Sequence, residues 1–185
     1  MDAEKVKKFI QLAGQGIPES FTARDSKTRA LGAQLLLSEV LEYVIKGLGL
    51  NPEIGGVKIT DADSVSFSPA RDEPDHLEML DGLADVAYTM YWNAAAFGLC
   101  LEEAFQLVCD NNLDKFVRLD GWQGKEGRLE PACWHCGQNV SWPPEVASIE
   151  VVRIGTEWYA VGKDAAGKVR KPCHYRAVDL SVLTE

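Results

Sequence analysis

The sequence predicts an all-α protein: a helical bundle with a small β-ribbon insert near the C-terminus. Three observations lead there. The stretch from about Thr28 to Leu48 is dense in Leu, Ala and Glu, which are strong helix formers. A second long stretch, His76 to Phe97, has the same character and stops at Gly98. A third, Leu101 to Phe116, follows at once, so two helices meet through a tight glycine turn, as antiparallel neighbours in a bundle do.

The elements follow in order. Residues 1–14 read as a short helix with Phe9, Ile10 and Leu12 on its apolar side, stopped by Gly14-Gln15-Gly16-Ile17-Pro18. The helix from about Thr28 to Leu48 ends among Gly47, Gly49, Asn51 and Pro52. Residues 51–73 are polar and loop-like, with a short strand or turn around Val57–Ile59. Asp75 is placed to cap the next helix, with Glu78 as its capping-box partner. The text changes near Leu119, where Gly121, Gly124 and Gly127 crowd together. Ile149–Ile154 and Trp158–Val161 then read as two short strands around Gly155-Thr156. The expected organisation is a helical core over 1–118, a cysteine-containing β-ribbon over 119–163 and an extended tail over 164–185.

Composition narrows the function. The 185 residues carry a formal net charge of −9, which excludes the basic footprint of a duplex nucleic-acid binder. An acidic chain still accommodates a polyanion when its carboxylates first take up divalent metal. No run approaches the roughly 18 apolar residues of a membrane span. Met1-Asp2-Ala3-Glu4-Lys5 lacks a signal-peptide core, so a cytoplasmic protein with no membrane partner is expected.

The acidic residues have a pattern. Glu39 and Glu42 lie i, i+3 on one helix, and Glu42 has apolar neighbours in Leu31, Leu35 and Ile45. A carboxylate in such a stripe is costly unless paired or metal-bound. Glu78, Asp81 and Asp85 fall in a stripe roughly 60° wide on the next helix, continued by Tyr88 and Trp92. Met79, Leu80, Leu83, Val86, Ala87 and Met90 form the opposite, core-like face. Magnesium prefers such oxygen ligands, shared with water and substrate phosphates. Acidic i, i+3 and i, i+4 pairs are also the ordinary dress of a solvated helix face.

Four motifs in order resemble the MazG-like nucleoside triphosphate pyrophosphohydrolases. Leu36-Leu37-Ser38-Glu39-Val40-Leu41-Glu42 is similar to their E-E-x-x-E helix, and Asp81-Gly82-Leu83-Ala84-Asp85-Val86-Ala87-Tyr88 to their E-x-x-D helix. Asn111-Asn112-Leu113-Asp114-Lys115 resembles their N-x-x-K motif. Gly167-Lys168-Val169-Arg170-Lys171-Pro172, with Asp179-Leu180, resembles the tail of the branch related to phosphoribosyl-ATP pyrophosphohydrolase and dimeric dUTPase. The resemblance implies a MazG-like bundle completed in a homodimer or higher homo-oligomer. It implies Mg²⁺ on Glu39, Glu42, Glu78, Asp81 and Asp85, with Glu39, Glu42, Asp81 and Asp85 catalytic. It implies substrate contacts from Asn112, Lys115, Lys168 and Lys171, and a base-stacking role is open to Tyr88. The implied reaction is hydrolysis of a nucleoside triphosphate to the monophosphate and pyrophosphate. Two positions depart from the pattern: Ser38 and Gly82 stand where the family has glutamates. They leave open a nucleotide-binding sensor, or an interaction protein, on the same fold.

Of five cysteines, Cys133 and Cys136 have zinc-knuckle spacing, and Cys173-His174 follows. These four are a candidate structural zinc site; reduced thiols on a β-ribbon are the plainer alternative.

Overall fold

The computed structural model describes residues 3–130 and 140–184. Its helices are α1 (Ala3–Leu12), α2 (Ser26–Glu42), α3 (His76–Phe97) and α4 (Leu101–Leu113). Its strands are β1 (Glu53–Ile54), β2 (Val57–Lys58), β3 (Val117–Arg118), β4 (Gly127–Leu129), β5 (Ser148–Ile154) and β6 (Glu157–Lys163). The strands form an antiparallel pair, β1-β2, and an antiparallel four-stranded sheet in the order β3-β6-β5-β4. The protein is therefore mixed α and β, and the all-α expectation is corrected.

The physical reason lies in where the apolar residues go. Strands β5 and β6 are seven residues each, longer than the sequence suggested, and they pair along their whole length. Ile149, Val151 and Val161 are essentially fully buried there. Strand β3 follows α4 directly and pairs with β6, and Gly127, in the glycine-rich stretch, opens β4. What reads as a two-stranded insert is thus the centre of a sheet with its own core.

The chain divides into two compact units: Met1–Glu19 with Ala87–Glu185, and Ser20–Val86. Within the first, one core gathers Val117, Leu119, Val140, Val146, Ile149, Val151 and Ala160 on one side of the sheet. A second gathers Leu12, Phe116, Tyr159 and Val161, with Phe9 and Leu113 packed against it, so α1 and α4 close on the sheet through these residues. Phe9 meets Phe116 edge-on at 5.1 Å between ring centres. Glu157 ties the same elements together, accepting from Lys8 (2.9 Å), Tyr159 (2.7 Å) and Arg118 (3.1 Å).

The β5–β6 turn has only two residues between paired Ile154 and Glu157. Gly155, at φ 60°, is the first of them, as a type II′ hairpin turn requires. Gly162 meets a different demand: a Cβ there would stand 2.5 Å from the ring of Trp142.

In the second unit, Asp25 caps α2 by accepting from the Thr28 N–H at 2.7 Å. The helix begins at Ser26, two residues before the sequence suggested, and passes after Glu42 into a π-helical turn, Tyr43–Gly47. A 3₁₀ turn at Ala62–Ser64 packs on α2. Asp75 accepts from the backbone N–H groups of Leu77 (3.0 Å) and Glu78 (3.2 Å), starting α3. Among the described residues of this unit only Leu41 and Ala62 are buried. No helix among the described residues is long and apolar enough to cross a membrane.

Candidate functional site

The acidic residues all stand on the second unit. Glu42 is about half exposed and pairs with Lys46, one turn on, at 2.9 Å. The sequence suggested a carboxylate held in an apolar stripe, but Leu31 and Leu35 of that stripe are exposed here and Glu42 leans to a cation instead. Lys46 is held above the ordinary lysine range first by its hydrogen bond to Glu42, with the charges of Asp63 and Glu39 adding to it. Glu78, Asp81 and Asp85 are exposed along the first half of α3. Among the described residues, no three His, Cys, Asp or Glu side chains gather closely enough to hold a metal ion. The donor chemistry suits Mg²⁺, which needs only one or two carboxylates beside water and phosphate.

The departures from the glutamate pattern are equally concrete. The Ser38 hydroxyl donates within its own helix, to the Leu35 carbonyl, at 3.5 Å. A Cβ placed on Gly82 would meet nothing within 4 Å, so a larger side chain has room there.

The cationic residues belong to the first unit, and the chain brings them together across more than fifty residues of sequence. Asn111, near the end of α4, binds the tail three times. Its amide donates to the Arg176 carbonyl (2.6 Å), and its oxygen accepts from the Tyr175 hydroxyl (2.5 Å) and the Val178 N–H (3.2 Å). That anchorage ties residues 175–178 of the tail to α4. Lys115 donates to the Asn112 side-chain oxygen at 2.5 Å and lies 5.4 Å from the centre of the Phe9 ring. Burial, and then the charges of Lys171 and Lys168, hold Lys115 below the ordinary lysine range. Lys171 also lies 4.6 Å from the centre of the Tyr175 ring. A cavity of about 210 Å³ opens alongside, lined by Lys5, Val6, Phe9, Cys109 and Asn112. Lys115, which feels the charges of Lys171 and Lys168 and lies beside the Phe9 ring, is suited to a phosphate.

Asn111 was quoted in the motif without a role of its own; its function as the tail's anchor has no local signal, because its partners lie over sixty residues away. Tyr88 is strongly exposed on α3. Of the candidate zinc ligands, Cys133 and Cys136 lie outside the described residues, while Cys173 and His174 are exposed in the tail. No family model matches the chain, and no curated protein or solved structure matches it either.

Proposed function

We propose that the protein is a magnesium-dependent nucleoside triphosphate pyrophosphohydrolase that works as a homodimer. The observation that carries this reading is the return of the tail to α4, where Asn111 holds residues 175–178 while Lys115 sits on Asn112 and feels the charges of Lys168 and Lys171. These lysines come from two motifs that are remote in sequence and that the family resemblance assigns to one ligand. In a chain of net charge −9, lysines so placed are suited to phosphate.

In this reading Glu39 and Glu42 of α2, with Glu78, Asp81 and Asp85 of α3, supply the oxygen ligands for Mg²⁺. The ion, when bound, neutralises triphosphate charge and makes a bound water a better nucleophile. Lys115, Lys168 and Lys171 hold phosphate oxygens, Asn112 keeps Lys115 in position, and exposed Tyr88 offers a flat face to the base. Little covalent work falls to the protein, so placing these charges is its main contribution.

The second copy is argued from exposed apolar surface. Leu31, Leu35, Leu36 and Val40 of α2 and Leu77, Met79, Leu80 and Leu83 of α3 all stand open. Met79, Leu80, Leu83 and Met90, read in the sequence as a core face, are exposed in the single chain. A helix apolar on most of its sides is normally covered.

The alternative, a nucleotide sensor without turnover, is favoured by Ser38 and Gly82. The test is pyrophosphate release from a panel of ribo- and deoxynucleoside triphosphates, with and without Mg²⁺, for wild type and Glu42→Gln. The hydrolase reading expects turnover that needs Mg²⁺ and collapses in the variant. Retained binding with no turnover on any triphosphate overturns it in favour of the sensor.

A further inference from the structure

The second unit holds a cavity of about 440 Å³, built from the start of α2 and from the segment 67–74 that leads to α3. Its size falls within the roughly 300–1,000 Å³ of small-molecule sites. Lys27 and Arg29 line it from the helix, Arg71 from the facing segment, and Glu73 is the one carboxylate on its wall. Three cations against one carboxylate is the reverse of the chain as a whole, where 28 acidic residues outnumber 19 basic ones.

These cations are not spent on neighbours. Among the described residues, none of Lys27, Arg29 and Arg71 forms an ion pair with a carboxylate. Arg29 is aimed by a neutral partner, the Asp72 carbonyl, to which it donates at 2.8 Å. A carbonyl orients a guanidinium and leaves its charge intact. Asp25 accepts from the Thr28 N–H and interacts with Lys27 through its charge without forming an ion pair. The helix terminus is therefore already capped, and the positive character of the cavity comes from side chains.

The remaining wall is flat and apolar. Phe67, partly exposed, lines the cavity together with Pro69 and Pro74. An aromatic ring beside a group of cations suits a ligand with a flat ring at one end and phosphate at the other.

We propose that this cavity is a binding site for a phosphorylated aromatic small molecule, with a nucleotide as the fitting class. Its phosphoryl oxygens meet Lys27, Arg29 and Arg71, and its ring lies on Phe67. The site is separate from the lysine group around Lys115, and its existence does not depend on hydrolysis.

Calorimetric titration of the full chain in EDTA, where no turnover interferes, tests this with two probes, ATP and inorganic tripolyphosphate. A Lys115→Ala/Lys171→Ala variant silences the lysine group first. That variant is expected to keep one binding event for each probe. Adding Lys27→Ala and Arg71→Ala, both unpaired in the structure, is expected to weaken it roughly tenfold or more. Phe67→Ala is expected to weaken ATP several-fold and leave tripolyphosphate unchanged. The proposal is overturned if the Lys115→Ala/Lys171→Ala chain binds neither probe, or if removing Lys27 and Arg71 leaves its binding as it was. Loss of tripolyphosphate affinity in Phe67→Ala equal to the loss for ATP overturns the assignment of the ring.

Discussion

The two units treat the same kind of residue in opposite ways. In the sheet unit, Leu12, Ile149, Val151 and Val161 are sealed within one chain. In the Ser20–Val86 unit, Leu31, Leu35, Leu77, Leu80 and Leu83 stand open, and only Leu41 and Ala62 of its described residues are buried. A sheet closes its apolar face with one helix layer, and α1 and α4 supply that layer. A helix with apolar residues on several sides needs more neighbours than this unit contains. The contrast teaches that one region completes its own core, while the other leaves the apolar residues of its helices open.

The largest expected effect is on the completed core. Ile149→Ala should cost about 2–5 kcal/mol in chemical denaturation, independent of protein concentration. A loss under 1 kcal/mol would mean that the sheet is not the stable centre. Next comes the open surface. Wild type should run as a dimer in light scattering, and Leu80→Glu should shift it to a 20.4 kDa monomer. An interface anchor of this kind is worth about 2 kcal/mol or more of association. Wild type that is monomeric at every concentration breaks the comparison.

Smaller effects sharpen the ligand side. Asn111→Ala removes three hydrogen bonds to the tail and should cost about 1–3 kcal/mol locally. Limited proteolysis should then cut near residues 164–178 first, and tripolyphosphate affinity should fall with it. The smallest effect is a pH dependence. Burial and its lysine neighbours lower the folded-state pKa of Lys115 below the ordinary 10.5. The folded chain thus releases this proton before the unfolded chain does, and stability rises with pH through that window. Anion binding favours the charged form, so tripolyphosphate affinity should decline as pH rises through the lowered pKa. Lys115→Ala should flatten that slope.

Much of the helical layout was legible because helix text is local. Asp75 announces α3, and Gly98 ends it before α4 begins at Leu101. The sheet was undervalued for the opposite reason. Strands β3 and β4 span only two and three residues and exist through pairing with partners many residues away. Their sequence alone carries little strand signal. The functional groups divide in the same way. Lys115, Lys168 and Lys171 were marked by motif spacing, but the return of the tail to α4 through Asn111 is a long-range event. Glu42 was expected to need a pairing or a metal among apolar neighbours, and Lys46 one turn on supplies the pairing. Lys27, Arg29 and Arg71 read as ordinary surface cations until the fold sets them around one cavity.

Product analysis under single-turnover conditions tests the central claim most directly. The chain, in excess over one nucleoside triphosphate and with Mg²⁺ present, should yield monophosphate and pyrophosphate in equal amounts. Both should fall together in Glu42→Gln and in Lys115→Ala. Diphosphate with orthophosphate as products, or equal yields from wild type and both variants, would contradict the account.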